Sequence, residues 1–540
     1  MCGWHPSEFA TRRTGSAVLA LMPQTRRRRA ALAERSLLLD LPEAILQHIL
    51  SFVPAKSLGI LSCVARLFKE EDVPNAIPLR AERLGRGLEV RHGDESMLKA
   101  LHFVEVLSSL APATISADTC HTVCIGSDQV VRAWGGHEGG PDDDDDDAFI
   151  PGPGEQLPCW LSHLGIDQET GYCVPVPTPM VGLPSAVRIV EVAAGYEHTL
   201  LRCASGGVFS CGVGDHGRLG HGFPLETHST PRRIDALAAL GAMAQISAGG
   251  FQSLALSMLG HVYTWGWGES GSTGHGMRGH QYTPKQVEAL REVRIVQASA
   301  GSGHTLCVSV SGDLYACGDH RYGKLGLGKL TEDALSPRRV VFKERGVRVR
   351  QASAWHAHSL VVTTEGKVYS FGCGERGRLG HGDERPRYRP NPIKRLWEQG
   401  AVAKSVAAGE LHSCVLTESG RVYTFGDCIF GQTGVQTLHP MLLPSLCLPD
   451  PLPNAGAMGG DMRVAELAVG DHHTIVRRDN GALYAFGKND ESQLGLGVEY
   501  TNRRVVAQPR RVVESAVASQ EEGAVPSAAD PPSPPMVLLS

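Results

Sequence analysis

Five glycines stand within the twelve residues FGCGERGRLGHG, Phe371–Gly382. Gly372, Gly374 and Gly377 spell G-x-G-x-x-G, the spacing that lets a backbone close on a pyrophosphate in a dinucleotide-binding unit. A phosphate loop of that kind occurs once per site and opens a helix. Here the element recurs: FSCGVGDHGRLGHG from Phe209, YTWGWGESGSTGHG from Tyr263, YACGDHRYGKLGLG from Tyr315, YTFGDCIFGQTG from Tyr423 and YAFGKNDESQLGLG from Tyr484. Three of the six copies lack the G-x-G-x-x-G spacing, and the residues after each copy are polar and proline-containing rather than helix-periodic. The glycines are therefore read as turns of a repeat. Gly372 and Gly380 are expected where φ is positive or backbones meet closely. No nucleotide or other cofactor is expected.

A second element precedes each copy. AAGYEHTLL begins at Ala193, SAGGFQSLAL at Ser247, SAGSGHTLCV at Ser299, SAWHAHSLVV at Ser353, AAGELHSCVL at Ala407 and AVGDHHTIV at Ala468; a worn seventh copy, SADTCHTVCI, begins at Ser116. They align a column of His121, His198, His304, His358, His412 and His473, with Gln252 in the third place. The intervals are 77, 54, 52, 54, 54 and 61 residues, and a period near 50 marks a propeller or solenoid. Within a unit, HSLVVTTEGKVYSFG (358–372) reads as a hairpin turning at Glu365–Gly366. Pro-led segments such as TPRRIDAL, TPKQVEAL, SPRRVVF and QPRRVVES fit an outer edge strand with Pro at its first residue. Four short strands per unit and seven units describe a mainly β, seven-bladed propeller over 113–515. Blade one lacks a clear outer strand, and the copy at Pro509–Val513 is expected to supply it and close the ring.

Once-per-blade histidines lie too far apart to share one ion, because zinc needs clustered ligands. No metal site is expected, and each histidine is read as capping its blade through neighbouring backbone. The tryptophans, Trp355 included, are read as blade packing.

The repeat VAAGELHSCVLTESGRVYTFG with GERGRLGHG resembles that of the regulator of chromosome condensation family, whose members form seven-bladed propellers. The departures are Asp118 and Trp355 where a small Gly is expected, and Gln252 for His.

Ahead of the repeats, LDLPEAILQHILSFVPAKSLGILSCVARLFKE (39–70) reads as two helices. Asp40 with Glu43 makes a capping box, and Pro42 falls in the first turn. Ile45, Leu46, Ile49, Leu50 and Val53 form one apolar stripe; Leu58, Leu61, Val64, Ala65 and Phe68 form another. The order of residues resembles an F-box, the module that docks on the Skp adaptor of cullin–RING ubiquitin ligases, with Phe68 where the usual Trp stands. That resemblance assigns Leu41, Pro42, Ile45, Leu46, Ile49, Leu50, Leu58, Val64 and Phe68 to the adaptor or to the bundle supporting it. The F-box-like helical domain and its connecting helices are placed at 37–112. Residues 1–36 carry seven arginines and two acids and read as a basic tail; 516–540 reads as a Pro/Ala/Ser-rich tail. Two insertions are placed at 139–158, with its run Asp142–Asp147, and at 440–461.

The net charge of −5 gives no general attraction to nucleic acid or anionic membrane, and no apolar run of 18 residues is present. The 14 cysteines contain no CxxC pair and read as reduced thiols of a cytoplasmic or nuclear protein. The expected role is non-enzymatic: a substrate receptor of a Skp–cullin-type ubiquitin ligase, with the propeller binding a target protein. The alternatives are guanine-nucleotide exchange or chromatin-associated regulation of a small GTPase, as for the founding family member, and a free-standing scaffold.

Overall fold

The structure, a computed structural model, describes residues 111–136, 159–166, 173–447 and 463–513, apart from 436, 438 and 502, together with Phe103, Val106 and Leu107. The chain divides into two compact units, up to Leu110 and from Ala111. In the first, Phe103, Val106 and Leu107 are helical, with Phe103 and Leu107 buried one turn apart. The residues assigned above to adaptor docking, Leu41 to Phe68, lie outside the described residues, as does the aspartate run.

The second unit is a ring of seven four-stranded antiparallel sheets. Blade five shows how a repeat becomes a blade. Its strands are β17 (Val349–Ala354), β18 (His358–Thr363), β19 (Val368–Gly372) and β20 (Arg387–Pro392), paired in sequence order. All six residues of β18 and all five of β19 are buried, as continuous apolar strands must be when both faces pack on neighbouring blades. The β18–β19 hairpin turns at Glu365–Gly366, with Val362 opposite Val368 and His358 opposite Gly372. Gly372 has φ +113°, and a Cβ there would lie 2.5 Å from the Ala357 carbonyl oxygen. Gly380 has φ +72°, and its Cβ would lie 2.9 Å from the Phe425 ring of blade six. After Gly372 comes a single 3₁₀ turn, Glu375–Gly377, not a phosphate-binding helix.

Outer strands do carry the Pro-containing segments, but Pro sits inside them. Pro231 is the fourth residue of β8 (His228–Arg233), in the stretch where pairing to β7 (Val208–Gly212) shifts register. A bulge on an edge strand is where a missing N–H costs least.

Blade one is complete from its own stretch of chain: β1 (Ile115–Ala117), β2 (His121–Ile125), β3 (Val131–Gly136) and β4 (Cys173–Pro179). Blade seven comprises β25 (Val464–Val469), β26 (His473–Arg478), β27 (Leu483–Lys488) and β28 (Val505–Arg511). The QPRRVVES segment therefore pairs within blade seven, with Tyr484 opposite Arg511, and the expected strand exchange at closure is wrong. The 440–461 insertion is also corrected, because Met441–Leu446 is β24, the fourth strand of blade six.

Side chains and one loop bond make the closing seam. The Thr114 amide donates to Glu466 Oε1 at 2.6 Å. Arg477 donates to the carbonyls of Ile125 (2.9 Å) and Thr114 (3.1 Å). Trp134 Nε1 donates to the Gln493 carbonyl at 3.0 Å, and Gly497 N to that of Pro175 at 3.0 Å. First strands lie innermost: β1, β5 (Ile189–Gly195), β9 (Met243–Ala248), β13 (Ile295–Ala300), β17, β21 (Ala403–Ala408) and β25 touch in order, and β25 touches β1.

Candidate partner-binding face and the histidine ring

Because strands alternate in direction, the turns between first and second strands and the loops between third and fourth strands share one face of the ring. The histidine column lies just beneath it. Nε2 of His121 is 3.2 Å from Thr199 Oγ1, that of His198 2.9 Å from Ser253 Oγ, and that of His304 2.8 Å from Ser359 Oγ. His358 pairs with Ser413 (2.8 Å), His412 with Thr474 (2.9 Å) and His473 with Thr122 (3.1 Å). Gln252 Nε2 takes the seventh place, 3.1 Å from Thr305 Oγ1. The series runs once round the ring and closes on blade one.

Every one of these hydroxyls also donates to a loop carbonyl of the preceding blade, for example Ser413 to Arg378 (2.7 Å) and Thr122 to Gln493 (3.0 Å). A hydroxyl has one hydrogen, so the imidazole must donate from Nε2; at His198 the Nδ1 also lies 3.1 Å from the Tyr196 carbonyl. Burial holds all six histidines neutral: it lowers His198, His304, His412 and His473 to about 3, and His121 and His358 well below the usual value. The Nε2 partner is thus the next blade's side chain; backbone contacts of the expected kind occur at His198, through Nδ1, and at Gln252, whose Nε2 also donates to the Gly301 and His304 carbonyls. The sequence signal was present: the column residue is followed by Ser or Thr in all seven copies.

Nearer the axis, the two departures from the small-residue column come together through a third residue. Trp355 Nε1 donates to the Asp471 carboxylate, a bond from blade five to blade seven that passes over blade six. Thr119 Oγ1 donates to the other oxygen of Asp471 at 2.8 Å and lies 3.4 Å from Asp118 Oδ1. Asp118 is fully buried, and its Oδ2 has no hydrogen-bond partner. Burial, then the Asp471 charge, raises Asp118 well above the usual carboxylate range; burial also raises Asp471, against its bonds from Trp355 and Thr119. Beside them His472 Nε2 lies 3.0 Å from Glu410 Oε2. Burial opposes charge on His472, but the Glu410 bond outweighs it, and His472 is raised while Glu410 is lowered. The sequence marked Asp118 and Trp355 as departures; Asp471 gave no signal of its own.

Farther out, the face carries ion pairs and exposed apolar tips. Arg218 Nη1 reaches Glu197 Oε2 (3.0 Å) and the Tyr196 carbonyl (3.0 Å), and Lys324 Nζ reaches Asp319 at 2.7 Å. Phe223 and Val498 are each 71% exposed on loops of blades two and seven, and Met277 and Tyr322 are exposed on blades three and four. His216, Tyr322 and Arg376 occupy the same loop position in three blades with φ near +60°, and Ser492, with φ +59°, stands where those blades carry Gly217, Gly323 and Gly377; such φ values are uncommon for residues with a Cβ. Asp319, His320 and Asp333 cluster closely enough to suggest a cation site, but Lys324 and Arg321 hold Asp319, and Arg278 holds Asp333 at 2.9 Å. Such a surface offers charge, hydrogen bonds and apolar anchors to a folded partner.

Comparison with known proteins agrees with this architecture. The RCC1-like domain matches residues 226–527, the regulator of chromosome condensation (RCC1) repeat residues 189–218, and the F-box domain residues 38–70. The ultraviolet-B receptor UVR8 of Arabidopsis thaliana is 31% identical over 385 residues, 71% of this chain and 78% of that protein. The E3 ubiquitin-protein ligase HERC2 of Mus musculus is 33% identical over 327 residues; the match covers 59% of this chain but 6% of HERC2. Among solved structures, yeast RCC1 (Prp20), bound to Kap60, superposes with a TM-score of 0.56 at 25% identity, over 66% of this chain and 81% of that one.

Proposed function

Because this chain belongs to the RCC1-like domain family and carries an F-box ahead of its propeller, we propose that it is the target-binding subunit of a Skp–cullin-type ubiquitin ligase. One observation carries this reading: an F-box at 38–70 and a closed seven-bladed ring lie in one chain as two separate compact units. The F-box docks on the Skp-type adaptor, and the loop face holds the target. The chain performs no covalent step itself; a rigid ring with varied loops suits recognition. HERC2, an E3 ubiquitin-protein ligase by name, matches only through a small fraction of its length, so the ligase role here rests on the F-box.

The test is direct binding of the purified full chain to a Skp-type adaptor. Binding that is lost on Leu41→Ala with Pro42→Ala supports the reading. A wild-type chain that binds no Skp-type adaptor removes it and leaves the interaction scaffold. The solved relative Prp20p is described by its binding to Gsp1p and histones, so a nucleotide-release assay on a small GTPase is the matching control.

A further inference from the structure

Blade one differs from the other six where the repeat register superposes them. The residue before its ring histidine is Cys120, where blades five and six carry Ala357 and Leu411. The loop residue whose carbonyl receives the next blade's hydroxyl is His163, where blades six and seven carry Gln432 and Gln493. These two substitutions place a thiol and a second imidazole beside His121. All three residues are at most 2% exposed, the Cys120 sulfur and one nitrogen of each ring lie within 4.8 Å of one another, and the two imidazole rings meet edge to face at 4.5 Å.

Hydrogen bonding decides which nitrogens carry lone pairs. Thr199 Oγ1 donates to the His163 carbonyl at 2.6 Å, so it accepts from His121 Nε2–H. His121 Nδ1 is therefore unprotonated, and it is buried with no hydrogen-bond partner. His163 Nε2 lies 3.2 Å from the Gly136 carbonyl, which can only accept, so its lone pair is also on Nδ1. Burial first, then the neighbouring His163, holds His121 in the neutral, ligating form. A buried lone pair with no donor is destabilising, and a bound cation relieves it.

We propose that Cys120, His121 and His163 form a binding site for a divalent cation of the zinc type, held by one thiolate and two imidazole nitrogens. One sulfur and two nitrogens suit Zn²⁺, whose tetrahedral ligands sit about 3.5 Å apart. Thr199 and the Gly136 carbonyl fix the ring orientations, as outer partners do in metal sites. Binding forms a Zn–S bond and releases the Cys120 thiol proton to solvent, so affinity rises with pH. His163 belongs to the 3₁₀ turn Cys159–Leu164. The ion thus ties the loop between β3 and β4 to β2.

The experiment uses the full chain stripped with a chelator and titrated with Co²⁺, then Zn²⁺. One equivalent of Co²⁺ should produce a thiolate-to-cobalt charge-transfer band that Zn²⁺ abolishes, and Zn²⁺ should raise the melting temperature. His163→Gln and Cys120→Ala install residues that other blades already accommodate. Both variants should melt like the metal-free wild type, lose the cobalt band and bind more than about tenfold more weakly. A wild type with no such band overturns the proposal. A band that survives both variants also overturns it, by placing the metal elsewhere.

Discussion

The histidine ring makes the propeller's stability depend on pH in a way a single substitution can expose. His358 is fully buried, its Nε2 donates to Ser413 at 2.8 Å, and burial holds it neutral far below the ordinary value of 6.5. In His358→Leu the Ser413 oxygen loses a donor but keeps its own bond to Arg378, so at pH 8 the cost should be about 1–3 kcal/mol. His358→Gln should cost less than about 1 kcal/mol, because Gln252 already fills that place and reaches Thr305. Below pH 6.5 the unfolded chain takes up a proton at this position and the folded chain does not. The wild type therefore loses about 1.4 kcal/mol per pH unit through His358 as pH falls, and neither variant does. By pH 5 that loss is about 2 kcal/mol. The Leu variant should then match the wild type, and the Gln variant should exceed it. Urea unfolding from pH 8 to pH 5 reads this directly. A stability difference that does not change with pH would show that His358 titrates alike in both states and would refute the argument.

Three further outcomes follow from the same geometry. Leu41→Ala with Pro42→Ala should weaken adaptor binding by more than tenfold, about 2 kcal/mol, while the propeller's melting temperature stays unchanged; calorimetric titration and thermal melting check the two halves. Gly380→Val places a Cβ 2.9 Å from the Phe425 ring at φ +72° and should destabilise by more than about 1 kcal/mol, seen as a lower urea midpoint. Asp118→Asn should stabilise the fold by about 1 kcal/mol or more at pH 8 and by less at pH 4. A carboxyl raised by burial and Asp471 contributes stability at low pH that is lost as pH rises through its folded value; equal melting shifts at pH 4 and pH 8 would contradict this.

What the sequence revealed was local and repeated; what it hid was the choice of partner across the ring. The hairpin at Glu365–Gly366, the glycines of Phe371–Gly382 and the blade count are readable because each is encoded several times at intervals near 54 residues. The histidine partners are different. His358 and Ser413 are 55 positions apart, and the hydroxyl looks like an ordinary strand residue until blades are set side by side. Asp471 is harder still: Trp355 lies 116 positions away and Thr119 352, and its own blade conforms to the repeat.

Closure failed as an expectation for a related reason. Blade one's outer strand, β4, follows β3 only after 36 residues, 137–172, where blade five needs 14, 373–386. The longer spacing separates CVPVPTP, Cys173–Pro179, from the rest of its blade and left blade one seemingly short of a strand. Yet the entropy of joining two strands grows with the logarithm of their separation, so the extra length costs about 0.8 kcal/mol. A single backbone bond across the seam, such as Gly497 to Pro175, is of similar size. The sheet can therefore complete itself locally, and no strand from the other end of the chain is needed. The seam must then be held by other groups: Glu466 against Thr114, Arg477 against the Ile125 and Thr114 carbonyls, and His473 against Thr122. Each joins residues about 350 positions apart, so closure depends on contacts made only after all seven blades exist.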